Sequence, residues 1–138
     1  MTSDSMYHEL IKVVNIPGFF VAKFESYSDR ICAHIHRRSY VVRCSRRGRF
    51  SGEFYDSKNR VLRDYDWADK PCYLMVSRVR VYCRYCWAVR VEKLTFASTS
   101  GAFTTRFVDS LVELARYTTR ADVAFYYGIS EDTVDRLE

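Results

Sequence analysis

The sequence predicts an α+β chain: a short N-terminal helix, a small antiparallel β-rich part, then a three-helix unit. Two observations carry that prediction. The hydrophobic period changes from two to about 3.6 residues across residues 98–101. The last segment sets Ala124, Gly128, Ile129, Val134 and Leu137 at the offsets of a helix-turn-helix. In that motif a small residue lets two helices cross closely, a glycine takes the positive φ of the tight turn, and two later apolar residues return the next helix to the core. The expected division is a β-rich module over residues 1–97 and a helix-turn-helix module over residues 101–138.

Each element has its own signal. Met6, Leu10, Ile11 and Val14 recur at helical spacing, and Pro17 with Gly18 ends that helix. Residues 19–24 and 30–44 are rich in β-branched and aromatic side chains around the turn formers Ser28 and Asp29, which predicts a hairpin. Ile31, Ala33 and Ile35 then line one face, with Cys32, His34 and His36 on the other. Residues 45–60 are polar and break the pattern. After them Tyr73, Met75, Ser77, Val79 and Val81 alternate with Leu74, Val76, Arg78 and Arg80 as a long strand, and residues 87–91 return as its partner. Beyond the linker, Phe103, Phe107, Val108, Leu111, Leu114 and Ala115 form a helical stripe, with Arg106, Asp109, Glu113 and Arg116 elsewhere on the wheel. Thr119 with Asp122 fits a capping box and Gly128 a C-cap. Ser130 caps the third helix, with Glu131 and Asp132 at its positive end.

Composition bounds the function. With 138 residues, 48% of them hydrophobic, the chain can bury a core as one domain or two small ones. Its apolar stretches are too short for a bilayer and its N-terminus lacks a signal core, so a cytoplasmic protein without a membrane partner is expected. Charge is uneven: 18 Lys and Arg stand against 10 Asp and Glu in residues 1–100, but 4 against 7 in residues 101–138. Arg43, Arg46, Arg47, Arg49, Lys58 and Arg60 are the candidate phosphate contacts of double-stranded DNA, the plain alternative being a solvated arginine-rich surface. Ser130, Thr133 and Arg136 are the candidate groove contacts of the third helix. Glu131, Asp132, Asp135 and Glu138 make that helix acidic, so a packing role or a homodimer contact stays open for it.

The five cysteines are Cys32, Cys44, Cys72, Cys83 and Cys86. An odd count without a signal peptide argues against a disulfide framework, and Cys83-x-x-Cys86 is the spacing of half a zinc ribbon. The other half would begin at Cys44, where Arg47 occupies the place of the second thiolate and cannot ligate a metal. Two outcomes follow. Cys44, Cys83 and Cys86 hold one structural zinc with His36 or His34 as fourth ligand, or the metal has been lost with the missing thiolate, the outcome favoured here. Cys32 and Cys72 read as small buried residues. No phosphate loop, nucleophile elbow or framed carboxylate pair points to an enzyme.

Four stretches together resemble the N-terminal region of the ISL-three family of bacterial insertion-sequence transposases. They are Arg43-Cys44-Ser45-Arg46-Arg47-Gly48, Val61-Leu62-Arg63-Asp64-Tyr65-Asp66-Trp67 with Lys70-Pro71, Arg78-Val79-Arg80-Val81-Tyr82-Cys83-Arg84-Tyr85-Cys86, and the helix-turn-helix. The resemblance covers about residues 8–138. It implies a zinc-ribbon-like module followed by a helix-turn-helix that binds the terminal inverted repeats of a mobile element. The family's catalytic domain, with its three metal-binding carboxylates, has no counterpart among these residues, so the expectation is a DNA-binding module that is not an enzyme. Glu138 falls near the expected end of the third helix, and a fragment and a complete regulator both fit. The alternative is a transposase-derived protein that binds another protein, as an inhibitor of a nucleic-acid enzyme, for which 11 Tyr and 9 Phe supply interface material.

Overall fold

The computed structural model describes residues 14–38, 53–67, 69–92, 94–98 and 102–138. Its centre is a five-stranded sheet. The strands are β1 (Phe19–Ser26), β2 (Ile31–Arg37), β3 (Glu53–Trp67), β4 (Lys70–Cys83) and β5 (Ala88–Val91). Three short helices follow: α1 (Thr105–Ala115), α2 (Arg120–Tyr127) and α3 (Glu131–Leu137).

The expected fold class is corrected. The protein is mainly β, built on a mixed sheet, rather than a small antiparallel zinc-ribbon-like part between helices. β1 and β2 form an antiparallel hairpin, but β2 runs parallel to β4, and β3 and β5 pair antiparallel with β4. The largest difference is β3, whose first eight residues fall within the polar stretch that was expected to interrupt the sheet. Residues 53–61 are almost wholly exposed on both sides, so they carry no period-two apolar signal. Their place is fixed by backbone pairing to β4, from Glu53 opposite Tyr82 to Asp64 opposite Cys72. The expected N-terminal helix lies outside the described residues, apart from Val14 at its end.

β2 and β5 share one edge of β4 at different levels, β2 beside residues 72–76 and β5 beside residues 80–83. The break between them is filled by an ion pair. The Arg37 guanidinium meets both Glu92 carboxylate oxygens at 2.5 and 2.6 Å and donates to the Ser77 carbonyl at 2.5 Å. Glu92 in turn accepts the Val79 N–H at 2.8 Å. Two ladder groups that lack a strand partner are thereby satisfied by side chains.

The main core lies on one side of the sheet: Ile31, Ala33 and Ile35 of β2, Leu62 of β3, and Cys72, Leu74 and Val76 of β4, closed by Val14, Ile16 and Leu94. Along β4 the buried side then changes. Val79, Val81 and Cys83 are buried with the opposite parity, while Arg80 and Tyr82 become exposed. The alternation along this strand was evident in the sequence; the change of side was not.

The helices hold a second core of Phe107, Leu111, Val123, Ala124, Tyr127 and Val134. Their caps fall where the sequence places them. The Thr119 side chain accepts the Asp122 N–H, Ser130 accepts the Thr133 N–H, and Gly128 takes φ +67° as the left-handed C-cap of α2.

The two cores meet at β3. The Arg63 N–H donates to the Ala102 carbonyl, and the Thr104 N–H donates to the Arg63 carbonyl, both at 2.9 Å. Asp64, 1% exposed, accepts the Thr104 hydroxyl at 2.8 Å and a two-pronged contact from Arg106. Arg63 lies between the rings of Tyr73 and Phe107, and bonds Asp66 at 2.8 Å. One strand edge therefore anchors the helical unit through backbone, charge and ring contacts.

Candidate nucleic-acid interface

The ribbon of β3 residues 53–61 against β4 carries the cations. Lys58 stands directly opposite Arg78, and Arg60 opposite Val76, so Lys58, Arg60 and Arg78 share one side. Two cations directly opposite in an antiparallel pair repel each other. The nearby carboxylates do not relieve this. Asp56 is held by Arg80 through Nε at 2.6 Å and a second, short contact, and Glu53 lies 3.5 Å from Arg84. The Arg80 guanidinium holds the Asp56 carboxyl below its ordinary range. Among the described residues, Lys58, Arg60 and Arg78 have no carboxylate partner, and Arg78 Nε is buried without a hydrogen bond. Such a site can accept anionic oxygens, which neutralise the repulsion.

Lys58 and Arg60, named from the sequence, are thus brought together. Arg43, Arg46, Arg47 and Arg49 lie outside the described residues. Sequence reading missed Arg78 as a contact; its place in a long strand was visible, but its position opposite Lys58 depends on a register that only pairing reveals.

The candidate groove residues form a local chain on α3. The Ser130 hydroxyl lies 2.8 Å from Thr133 Oγ1, which accepts from Arg136 at 3.3 Å. Ser130 is also occupied as the N-cap. Glu131, Asp132, Asp135 and Glu138 are all exposed, and Asp135 pairs with Arg120 at 2.9 Å. Around these helices Tyr117, Phe125 and Tyr126 stand out in solvent, Phe125 with 91% of its surface exposed.

The candidate metal residues are divided. Cys83 ends β4 and Cys86 lies in the following turn, so the pair shares one hairpin as its spacing implies. Cys44 lies outside the described residues. His36 is on β2, one residue beyond the Ile35–Val76 pair, which puts it roughly 20 Å from Cys83 along β4. Its ring meets Phe20 at 5.8 Å. His34 is farther from the hairpin and faces Glu25, Nε2 to Oε1 at 2.9 Å. Neither histidine reaches Cys83 and Cys86, and among the described residues no three His, Cys, Asp or Glu side chains gather as metal ligands would. Cys72 is buried, and desolvation, helped by the nearby Asp64 charge, pushes its thiol up to about 12. Cys32, on the opposite face, is half-buried.

Among the described residues no helix is long and apolar enough to cross a membrane. Compared with protein-family models, curated proteins and solved structures, the chain matches none.

Proposed function

We propose that this chain binds double-stranded DNA through its β3–β4 ribbon, as a module of the kind that binds the terminal repeats of an insertion sequence. The observation that supports this most is the unneutralised group of Lys58, Arg60 and Arg78, where the fold sets like charges face to face beside carboxylates engaged elsewhere. Phosphates are the natural complement. The basic stretch that holds Arg43, Arg46, Arg47 and Arg49 precedes β3 in sequence and adds to the same charge balance. In this reading the ribbon supplies affinity and α3, acidic on its exposed side, supplies at most a few groove contacts from Ser130, Thr133 and Arg136.

Replacing Lys58 and Arg60 together by Ala should weaken binding to unrelated duplexes alike and flatten the salt dependence by about two units, one for each lost phosphate contact. Anisotropy titrations of labelled duplex DNA over a salt series measure this. An unchanged slope would move the DNA surface elsewhere on the molecule.

A second reading is favoured by the exposed Tyr117, Phe125 and Tyr126, which suit a protein contact through the helical unit. Its mark is a complex that survives salt concentrations that dissolve DNA binding.

A further inference from the structure

Trp87 closes the hairpin between β4 and β5. Its N–H donates to the Cys83 carbonyl at 2.8 Å, and its φ is +55°. That is left-handed backbone, which Gly and Asn adopt with ease and a bulky aromatic residue does not. The side chain is nevertheless 77% exposed. A turn built for stability would carry Gly here, and packing does not explain an indole left mostly in water. What the residue adds is a broad flat apolar surface at the tip of a stiff support. The support is β4 itself, flanked near its end by β3 and β5, with buried Cys83 paired to Ala88 at the base of the turn.

The surrounding charge selects the partner. Half-exposed Tyr85 and Arg84, the latter paired with Glu53, share the loop, and Arg78, unpaired among the described residues and with Lys58 opposite, lies about 17 Å back along β4. An exposed indole at the end of a cationic ribbon matches a nucleobase joined to phosphates. A duplex offers the face of a base only where stacking is opened, as at a bulge, a mismatch or a kinked step.

We infer that Trp87 stacks on an unstacked base of the bound DNA, so that the protein prefers duplexes with an opened step. This rests on the DNA-binding reading above. The probes are a perfect duplex and the same duplex with one unpaired nucleotide. The expected result is a preference of about tenfold for the bulged duplex, the usual size of one base–aromatic contact. Tryptophan emission should fall on binding; Trp67, the other tryptophan, packs against the core and serves as an internal reference.

The variant Trp87→Gly fits the left-handed turn, so its melting midpoint should match or exceed that of the wild type. It should keep its affinity for the perfect duplex within about twofold, while losing both the preference and the quenching. Three results would overturn the inference: a wild type with no preference, a glycine variant that keeps preference and quenching, or a variant that melts well below the wild type, which would make the indole a packing residue. A wild type that binds neither duplex sinks the DNA-binding reading itself. The salt slope of Lys58 and Arg60 tests that reading separately.

Discussion

The β3–β4 ribbon and the helical unit treat their charges in opposite ways. In the helices Arg116 pairs with Glu113, Arg120 with Asp135 and Arg106 with Asp64, while Glu131 and Asp132 sit at the positive end of α3. The ribbon pairs Arg80 and Arg84 but leaves Lys58, Arg60 and Arg78 without carboxylates. The helical unit therefore pairs three of its four arginines, all but Arg136, whereas the ribbon accumulates cations unpaired among the described residues. Surplus like charge of this kind costs stability in the free protein.

The largest expected effect comes from breaking the joint between the two regions. Asp64→Ala strips the buried Thr104 hydroxyl and the Arg106 guanidinium of their shared partner, and should cost about 2–4 kcal/mol in denaturant unfolding. Hydrogen exchange should show α1 losing protection before β4. A loss below about 1 kcal/mol would mean that the helices are held by their own core alone.

A smaller effect separates the regions by pH. The folded Cys72 thiol is raised from its ordinary 9.0 to about 12, so the folded state keeps the proton while the unfolded chain gives it up. Its contribution is fully present below pH 9 and is lost as pH rises toward 12. By pH 10 the loss is about 1 kcal/mol, and Cys72→Ala should remove that part of the alkaline slope whatever it does to absolute stability. A slope identical in wild type and variant would contradict the assignment.

The smallest effect tests the charge contrast directly. If DNA lies on the ribbon, converting Glu131 to Gln and Asp132 to Asn should leave the salt slope unchanged and shift affinity by less than about 0.5 kcal/mol, the size of a distant screened charge. A clear gain in affinity with a steeper slope would put α3 against the phosphates.

These contrasts also explain what the sequence could reveal. The β1–β2 hairpin, the alternation of β4 and the caps at Thr119, Gly128 and Ser130 depend on residues close in sequence, and each left a local signal. The first half of β3 left none, because its place is set by backbone bonds to a strand that comes later and both of its sides are wet. The parallel pairing of β2 with β4 is long-range in the same sense. It made the sheet mixed, and it also left His36 far from the cysteine hairpin. For the candidate site, residue types were readable and neighbours were not. Lys58 and Arg60 stood out as cations, whereas Arg78 gained meaning only from its opposite number, and Trp87 only from its backbone angle.

The change of buried side along β4 also dictates how a partner can approach. Lys58, Arg60 and Arg78 lie on the same side of the sheet as the main core, which ends at Leu62 and Val76. The molecule is shaped there like a stair, with the cations as the tread and the end of the core as the riser. A stiff rod resting on the tread meets the riser if it turns toward β2. Polar Ser77 and Arg78, placed between Val76 and Val79, set the position of that step. Inserting one residue between them would reverse the parity of the strand beyond, turn Val79 and Val81 onto the tread, and carry Arg78 away from Lys58 to the other side of the sheet.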